Sequence, residues 1–455
     1  MSLHRFRGPV AAAFAAIVSA GNALAGDALT PGWMDRIATG RWTQVRAEVD
    51  RAFAAGEPAV SEVVRAVRPP GDPAEAAPRM ALHALALAAA APDAGPRRAL
   101  FARAVAGGLA ATDDPEIHRI LLGALQISGT TDAVPAIAAC LADPAVASAA
   151  CAALESLSDP AADAAMIAAL RTGSPATVGL LFALGRRRAA AAADLALARA
   201  RDANDAVRRA ALTALAELGE PRATALFHST HAPVSLAILH ARRLAERSGK
   251  HEALAALEAI CASDRPAHER LAAATATFEL GAPARLRDMA AGIGAEGRGA
   301  LRVLVAFPTE REHVRRMYAA GPVELREAIL RALADHPGPD TADLIEPALA
   351  DTNAAVLIAA AALVDRLEPS RRAVGSVEAL GRADDATAAR NLTAALGRTP
   401  TDAVLAAVTR VWPTASARLR SHLIRALAGH RGGAVRRMLL EAVRSDTNEK
   451  TASPP

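Results

Sequence analysis

The sequence of 455 residues predicts an all-α protein built from stacked helical hairpins, an α-solenoid. Three observations predict this class. The first two are that alanine supplies about a quarter of the residues while aromatic residues supply only 3%, and that no stretch alternates as a strand would. The third is a small-then-large residue pair that returns about every thirty residues, which indicates an array of repeated units. The pair reads Ala124-Leu125, Ala153-Leu154, Ala183-Leu184, Ala214-Leu215, Ala332-Leu333, Ala395-Leu396 and Ala426-Leu427, with Leu363-Val364 as a variant.

The clearest unit runs from Asn204 to His228. Asn204 is a typical N-cap, and Gly219 predicts a left-handed stop at the end of the first helix. Pro221 then stands where a second helix would begin, since its missing N–H costs nothing at that position. The apolar face of the first helix follows helical spacing through Val207, Ala210, Ala211, Ala214, Leu215 and Leu218.

The same pattern recurs in other units with different residues. The junction at 279–283, Glu-Leu-Gly-Ala-Pro, repeats the one at 217–221. Two units depart from the pattern: the first helix is shortened at 174–185, and the aspartate that opens a unit is missing at 294–307. These departures affect the repeat boundaries more than the architecture.

These units resemble HEAT repeats, in particular the short bacterial HEAT-like type related to those of phycobilin lyases. The residues that carry the resemblance are Asp205-Ala206-Val207-Arg208-Arg209-Ala210-Ala211-Leu212, Gly219 and Pro221. The match covers roughly residues 113–444, about eleven units. The resemblance implies a right-handed superhelix that serves for binding, usually of another protein, with the second helix of each unit lining the concave surface.

The chain outside the array divides into three further segments. Residues 1–25 are read as a signal peptide, because Arg5 and Arg7 precede an apolar run and Ala23-Leu24-Ala25 offers a small-x-small site for cleavage after Ala25. Residues 26–78 form an expected N-terminal helical cap, closed by the Pro- and Gly-rich break at 69–73. Residues 79–444 are the repeat array, and 445–455 are expected to be a disordered tail. No run is long enough to span a membrane.

Tryptophans, cysteines and histidines provide few other candidate sites. Trp33 and Trp42 are read as cover for the first exposed face of the solenoid, with a partner site as the alternative. Cys140, Cys151 and Cys261 are expected to be unpaired and buried, although a Cys140–Cys151 bridge stays open. The two histidines of the stretch 228–231 lack a nearby carboxylate or cysteine. No catalytic motif, metal site or cofactor site is predicted.

One charge distribution stands out from this background. Basic residues number 52, all arginine except Lys250 and Lys450, against 48 acids, a balance that speaks against a dedicated nucleic-acid binder. In the C-terminal half an arginine row with two aromatic residues falls on second helices. This predicted partner site comprises Arg285, Arg287, Arg315, Arg316, Tyr318, Arg371, Arg372, Arg410, Trp412, Arg436 and Arg437.

The sequence predicts a non-enzymatic, exported scaffold or adaptor, periplasmic or secreted, that binds a protein partner. The arginine row could capture an acidic segment of that partner, or directly a polyanion. The alternative is that these arginines are solvated residues on ordinary exposed helix faces, with their number set by coding bias. A lyase-like or chaperone-like accessory role in cofactor attachment is a further alternative, suggested by the resemblance alone.

Overall fold

The computed structural model describes residues 29–229, 232–336 and 342–451, with side chains described up to residue 441 and at Val443. All regular structure in these ranges is helical. The chain forms two compact units, 1–253 and 254–455.

The helices are numbered here in chain order. The first unit contains α1 (Trp33–Thr39), α2 (Trp42–Ala55), α3 (Glu57–Ala66), α4 (Ala76–Ala89), α5 (Gly95–Ala110), α6 (Pro115–Ser128), α7 (Val134–Ala139), α8 (Ala147–Ser156), α9 (Pro160–Thr172), α10 (Thr177–Arg186), α11 (Ala193–Arg199), α12 (Asp205–Leu218), α13 (Thr224–His228) and α14 (Val234–Ser248). Helix α15 (Lys250–Cys261) contains the division between the units. The second unit continues with α16 (Ala267–Glu279), α17 (Ala284–Ala290), α18 (Ala295–Val305), α19 (Arg311–Ala320), α20 (Val323–Asp335), α21 (Ala342–Leu349), α22 (Ala354–Leu363), α23 (Pro369–Arg382), α24 (Ala386–Arg398), α25 (Thr401–Val411), α26 (Ala417–Leu427) and α27 (Gly433–Thr451).

The helices alternate between two roles. From α4 onwards the even-numbered helices are the first helices of the repeats, and the odd-numbered ones are the second helices. Within each unit every first helix packs on the first helix of the next repeat. In the described part of the chain, helices α6 to α27 divide into eleven successive pairs, each a first helix followed by its second helix. This confirms the predicted all-α solenoid. Two short helices cannot bury both their faces alone, so this stacking creates the core.

The unit α12–α13 follows the sequence prediction closely at its first helix. The Asn204 side chain accepts hydrogen bonds from the N–H groups of Ala206 and Val207, as an N-cap should. Gly219 has φ 56°, and a Cβ there would lie 2.5 Å from the main-chain carbon of Arg243 in α14. Both the left-handed conformation and the close approach therefore require glycine. The second helix is shorter than the pattern suggests, because Pro221 opens a 3₁₀ turn and α13 has only five residues.

A contact between repeats that the sequence did not predict joins the ends of successive first helices. At the end of one first helix an arginine donates hydrogen bonds to main-chain carbonyls at the end of the previous first helix, which have no partner inside their own helix. We call these three residues the inter-repeat arginines. The pairs are Arg187 with the carbonyls of Glu155 and Leu157, Arg247 with Leu218, and Arg366 with Leu333 and Ala334.

The ends of the described chain differ in detail from the predicted segments. Three helices, α1 to α3, precede the Pro- and Gly-rich break. Helix α4 begins at Ala76, so the predicted boundary after residue 78 falls inside its first turn. Helix α27 continues to Thr451, past the predicted start of the tail at Ser445. Ala25 and the last four residues lie outside the described residues.

Burial of the cysteines matches the prediction. Cys140, Cys151 and Cys261 are free and buried, so the alternative bridge between Cys140 and Cys151 is excluded. Burial raises the pKa of Cys151 and of Cys261 to about 11. Each thiol packs as a small apolar group. Among the described helices, none combines the length and the apolar character that a membrane span requires.

Candidate interaction surface

The predicted arginine row lies on the second helices of the second unit. We call the surface formed by α17, α19, α21, α23, α25 and α27 the second-helix face. The structure places every residue of the row on these helices or, for Trp412, in the 3₁₀ turn that follows α25. The row is not uniformly positive, however, because most of its arginines face carboxylates of neighbouring repeats.

Three exposed ion pairs connect consecutive second helices. Arg315 of α19 lies 3.1 Å from Asp343 of α21, and it also reaches Glu312 on its own helix. Arg371 of α23 contacts Glu346 of α21 through two nitrogens, at 2.5 and 2.7 Å. The pKa of Arg371 is raised, mainly by this hydrogen bond.

The third pair has the same character. Arg410 of α25 lies 2.7 Å from Glu378 of α23. In all three pairs each side chain is at least 37% exposed, so solvent screens the attraction and the pairs contribute little to folding. Exposed pairs of this kind remain available to exchange partners.

Three other arginines of the row serve the fold. Arg287 makes a bidentate contact, at 2.7 and 2.8 Å, with Glu310, whose side chain is only 5% exposed. That hydrogen bonding lowers the pKa of the Glu310 carboxyl despite its burial. Arg285 donates to the carbonyl of Cys261, and Arg372 donates to carbonyls in the turn after α22. These side chains tie neighbouring helix ends together.

The two aromatic residues of the row differ from each other. Tyr318 is 6% exposed, and burial raises the pKa of its hydroxyl to about 12. It is therefore part of the core and not of the surface at which the sequence placed it. Trp412 is partly exposed, and the guanidinium of Arg420 lies 5.7 Å from its ring centroid, a cation–π arrangement.

Four exposed arginines complete the face. Within the described part of the chain, Arg436 and Arg437 on α27 have no carboxylate within 4 Å. Among the described residues, Arg316 on α19 contacts only the main-chain carbonyl of Glu312, through a 3.4 Å hydrogen bond. Arg382 on α23 is also exposed and contacts no described carboxylate; it donates to the main-chain carbonyl of Leu349.

A cleft of about 420 Å³ opens between α21 and α23. Arg371, Arg382, Glu346 and Glu378 line it together with apolar side chains. The two helices approach each other closely at the floor of the cleft. A Cβ atom added to Gly375 of α23 would lie only 2.9 Å from Leu349 Cδ1 of α21. The cleft can accept a side chain that carries a carboxylate, which would then compete with Glu346 for Arg371.

The carboxylates that pair with arginines of the row were not predicted from the sequence; they are Glu258, Glu310, Asp343, Glu346 and Glu378. A detectable signal existed, because each lies 23 to 32 residues from its arginine, which is close to the repeat period. The predicted row was built from arginines and aromatic residues and left the acidic residues out. Of the two histidines at 228–231, His228 ends α13, and His231 lies outside the described residues.

No protein-family model matches the chain, and no curated protein is similar to it in sequence. Among solved structures, an engineered protein from a structural genomics consortium is 16% identical, with 87% of this chain and 93% of that chain covered and a TM-score of 0.23. A chain from a study of a phosphorylation switch in the interaction between cadherin and beta-catenin is 15% identical, with the same coverage and a TM-score of 0.28.

Kap121p is 10% identical, with 90% of this chain and 53% of Kap121p covered and a TM-score of 0.30. The chain thus spans about half the length of Kap121p. At such TM-scores the fold assignment rests on the helices described above and not on these likenesses.

Proposed function

We propose that this chain is a non-enzymatic, exported scaffold that binds an acidic segment of another protein on the second-helix face. The observation that carries the proposal is the composition of this face: exposed ion pairs that link successive helices, and exposed arginines that contact no described carboxylate, namely Arg316, Arg382, Arg436 and Arg437. A partner that supplies carboxylates gains charge-assisted hydrogen bonds to guanidinium groups already held in place by the stacked helices.

A protein segment fits this face better than a uniform polyanion does. The carboxylates of Asp343, Glu346 and Glu378 stand among the arginines and would repel an unbroken line of negative charge. A segment with spaced acidic residues can reach the arginines and avoid these carboxylates. The phycobilin-lyase type of HEAT-like repeat would add a role in cofactor attachment, but no observation favours that role over binding alone.

Export is part of the proposal and rests on the sequence. The order of basic residues, apolar run and small-x-small site before residue 26 is typical of a secretory signal. The N-terminal residue of protein recovered from its native host tests this part. Protein that begins at Met1 or Ser2 in the cytosol would contradict export without affecting the binding proposal.

The binding proposal is tested with a triple variant, Arg316→Glu, Arg436→Glu and Arg437→Glu. We expect capture of the partner from a cell-envelope extract to fall at least about tenfold, because three attractive contacts become repulsive. Capture by the unaltered protein should also weaken as salt rises from about 0.1 to 0.5 M. Helicity should not change.

The matched control is Arg298→Glu, Arg390→Glu and Arg425→Glu on first helices of the same unit. Arg298 is exposed and, within the described ranges, donates only to the carbonyl of Ile293, as Arg316 does to Glu312. Arg390 and Arg425 are exposed and have no described ion pair, like Arg436 and Arg437. Equal loss in both triple variants would show that net charge, and not the second-helix face, governs capture.

A further inference from the structure

The first seven residues of five consecutive second helices alternate in net charge. Counted over all charged side chains, these segments of α19, α21, α23, α25 and α27 carry +2, −2, +2, −1 and +2. We call the five segments together the charge stripe. Its members with exposed side chains are Glu312, Arg315 and Arg316 on α19, Asp343 and Glu346 on α21, Arg371 on α23, Asp402 on α25, and Arg436 and Arg437 on α27, and the less exposed Arg311 and Arg372 complete the count.

Ion pairs show that these segments lie side by side. Arg315, the fifth residue of α19, contacts Asp343, the second residue of α21. Glu346, the fifth residue of α21, contacts Arg371, the third residue of α23. The first turns of successive second helices therefore face one another across the repeats. Packed helix axes lie about 8–10 Å apart, so the sign of the charge changes at about this interval.

The charges of the stripe are open to a ligand at positions of both signs. Within the described chain Asp402 has no ion pair, and Arg436 and Arg437 contact no carboxylate. The pairs made by Arg315 and Arg371 are exposed, so each of their groups can accept a further contact of opposite charge. A uniform polyanion meets like charge on α21 and α25, and a uniform polycation meets it on the other three helices. The stripe therefore selects a ligand that carries both signs in order.

We propose that the charge stripe binds an extended protein segment whose every third residue is charged, with the sign alternating along the segment. This inference rests on the proposed function and specifies its partner: acidic residues lie over α19, α23 and α27, and basic residues lie over α21 and α25. A polyproline II segment has three residues per turn and advances about 9 Å per turn, which matches the spacing of packed helices. A charged residue at every third position then places all the charges on the side that faces the stripe.

The test measures the binding of three synthetic peptides to the full chain by titration calorimetry at about 0.05 M salt. The alternating peptide has thirteen residues, with glutamate at positions 1, 7 and 13, lysine at positions 4 and 10, and Pro-Ala between them. The block peptide has the same composition and spacing but places its three glutamates before its two lysines. The glutamine peptide replaces both lysines by glutamine. We expect the alternating peptide to bind about tenfold more tightly than the block peptide and about threefold more tightly than the glutamine peptide, because it alone meets opposite charge on all five helices.

A triple variant, Asp343→Asn, Glu346→Gln and Asp402→Asn, removes the negative positions of the stripe. The lysines of the alternating peptide then lose their partners, so its advantage of about threefold over the glutamine peptide should disappear. All three side chains are exposed, so the fold should not change.

The matched control is Glu324→Gln, Asp335→Asn and Asp384→Asn, on or beside first helices of the same unit. In each set two carboxylates form exposed ion pairs and the third has no described ion pair. The two variants also change the net charge of the chain equally. We expect the control to keep the full preference for the alternating peptide.

Three outcomes would overturn the charge stripe and leave the proposed function standing: equal binding of the alternating and block peptides, a preference that persists in the stripe variant, or its equal loss in the control. Tighter binding of a helical peptide with the same charge order at every seventh residue would overturn the extended conformation, since seven residues of α-helix advance about 10 Å. If none of the peptides binds at low salt, the proposed function itself is wrong, and the stripe with it.

Discussion

Arg187 in the first unit and Arg371 in the second both reach across to a neighbouring repeat, in opposite environments. Arg187 is 12% exposed, contacts Asp163 and donates to main-chain carbonyls of the previous repeat. Arg371 is 47% exposed and contacts one carboxylate. Both residues are arginines that reach about one repeat along the chain. Burial and the kind of acceptor therefore distinguish an arginine that stabilises the fold from one that is available to a partner.

This difference matters because breaking the two kinds of contact costs different amounts of free energy. Main-chain carbonyls at the end of a buried helix have no other partner if the arginine leaves. A carboxylate at the surface recovers its hydration as soon as its arginine leaves. The inter-repeat arginines should therefore hold the stack, while the exposed pairs can exchange partners without loss of the fold.

The largest expected effect is that of Arg187→Ala. It leaves the carbonyls of Glu155 and Leu157 and the carboxylate of Asp163 without their donor, and we expect a loss of about 2–4 kcal/mol in local stability. Because long repeat arrays do not unfold in one step, amide hydrogen exchange in α8 and α10 is the appropriate measurement.

The neighbouring residue supplies the control for this prediction. Arg186 contacts the carboxylate of Glu155 in the previous repeat, the repeat that Arg187 also reaches, but the Arg186 side chain is 57% exposed. We expect Arg186→Ala to change protection in these helices by less than about 1 kcal/mol. Similar losses for the two variants would break the distinction between buried and exposed arginines.

A smaller effect, which depends on pH, is expected at His240 in the same unit. His240 is 1% exposed, stacks on Phe227 with ring centroids 4.5 Å apart, and lies 3.0 Å from the carbonyl of Glu220 through Nε2. Burial lowers its pKa, and the charge of His228 acts in the same direction. The unfolded state therefore binds the proton more readily, and stability falls as the pH drops through about 6.5.

The loss amounts to about 1.4 kcal/mol for each unit by which the pKa is lowered. It should appear as weaker hydrogen-exchange protection of α12 and α14 at pH 5.5 than at pH 7.5. His240→Gln keeps an N–H donor for Glu220 but does not titrate, so it should flatten this dependence. An equally steep dependence in that variant would assign the acid sensitivity to other groups.

Much of the fold could be predicted from the sequence because it is local and periodic. The Asn204 cap, the left-handed Gly219 and the apolar face of α12 each depend on residues within one helix. The short α13 was not foreseen, since proline is equally compatible with a 3₁₀ turn and with a helix start.

The candidate surface was less predictable because it depends on contacts between repeats. Which carboxylate meets Arg371 depends on the lengths of the intervening loops, and these vary along the array. The burial of Tyr318 likewise follows from the packing of its neighbours and not from its position on a second helix.

The smallest expected effect sharpens the comparison from the exposed side. Arg371→Ala and Glu346→Gln remove the two partners of a pair in which both groups are at least 37% exposed, and each should change the hydrogen-exchange protection of α21 and α23 by less than about 1 kcal/mol. The double variant should match the sum of the two, because screened partners are weakly coupled. Raising salt to about 1 M should abolish the small difference that remains, while the loss in Arg187→Ala should persist, since its acceptors include carbonyls that carry no net charge. A strong coupling between Arg371 and Glu346 that survives high salt would make this pair a fixed element of the stack, and a partner carboxylate could then not displace Glu346 at low cost.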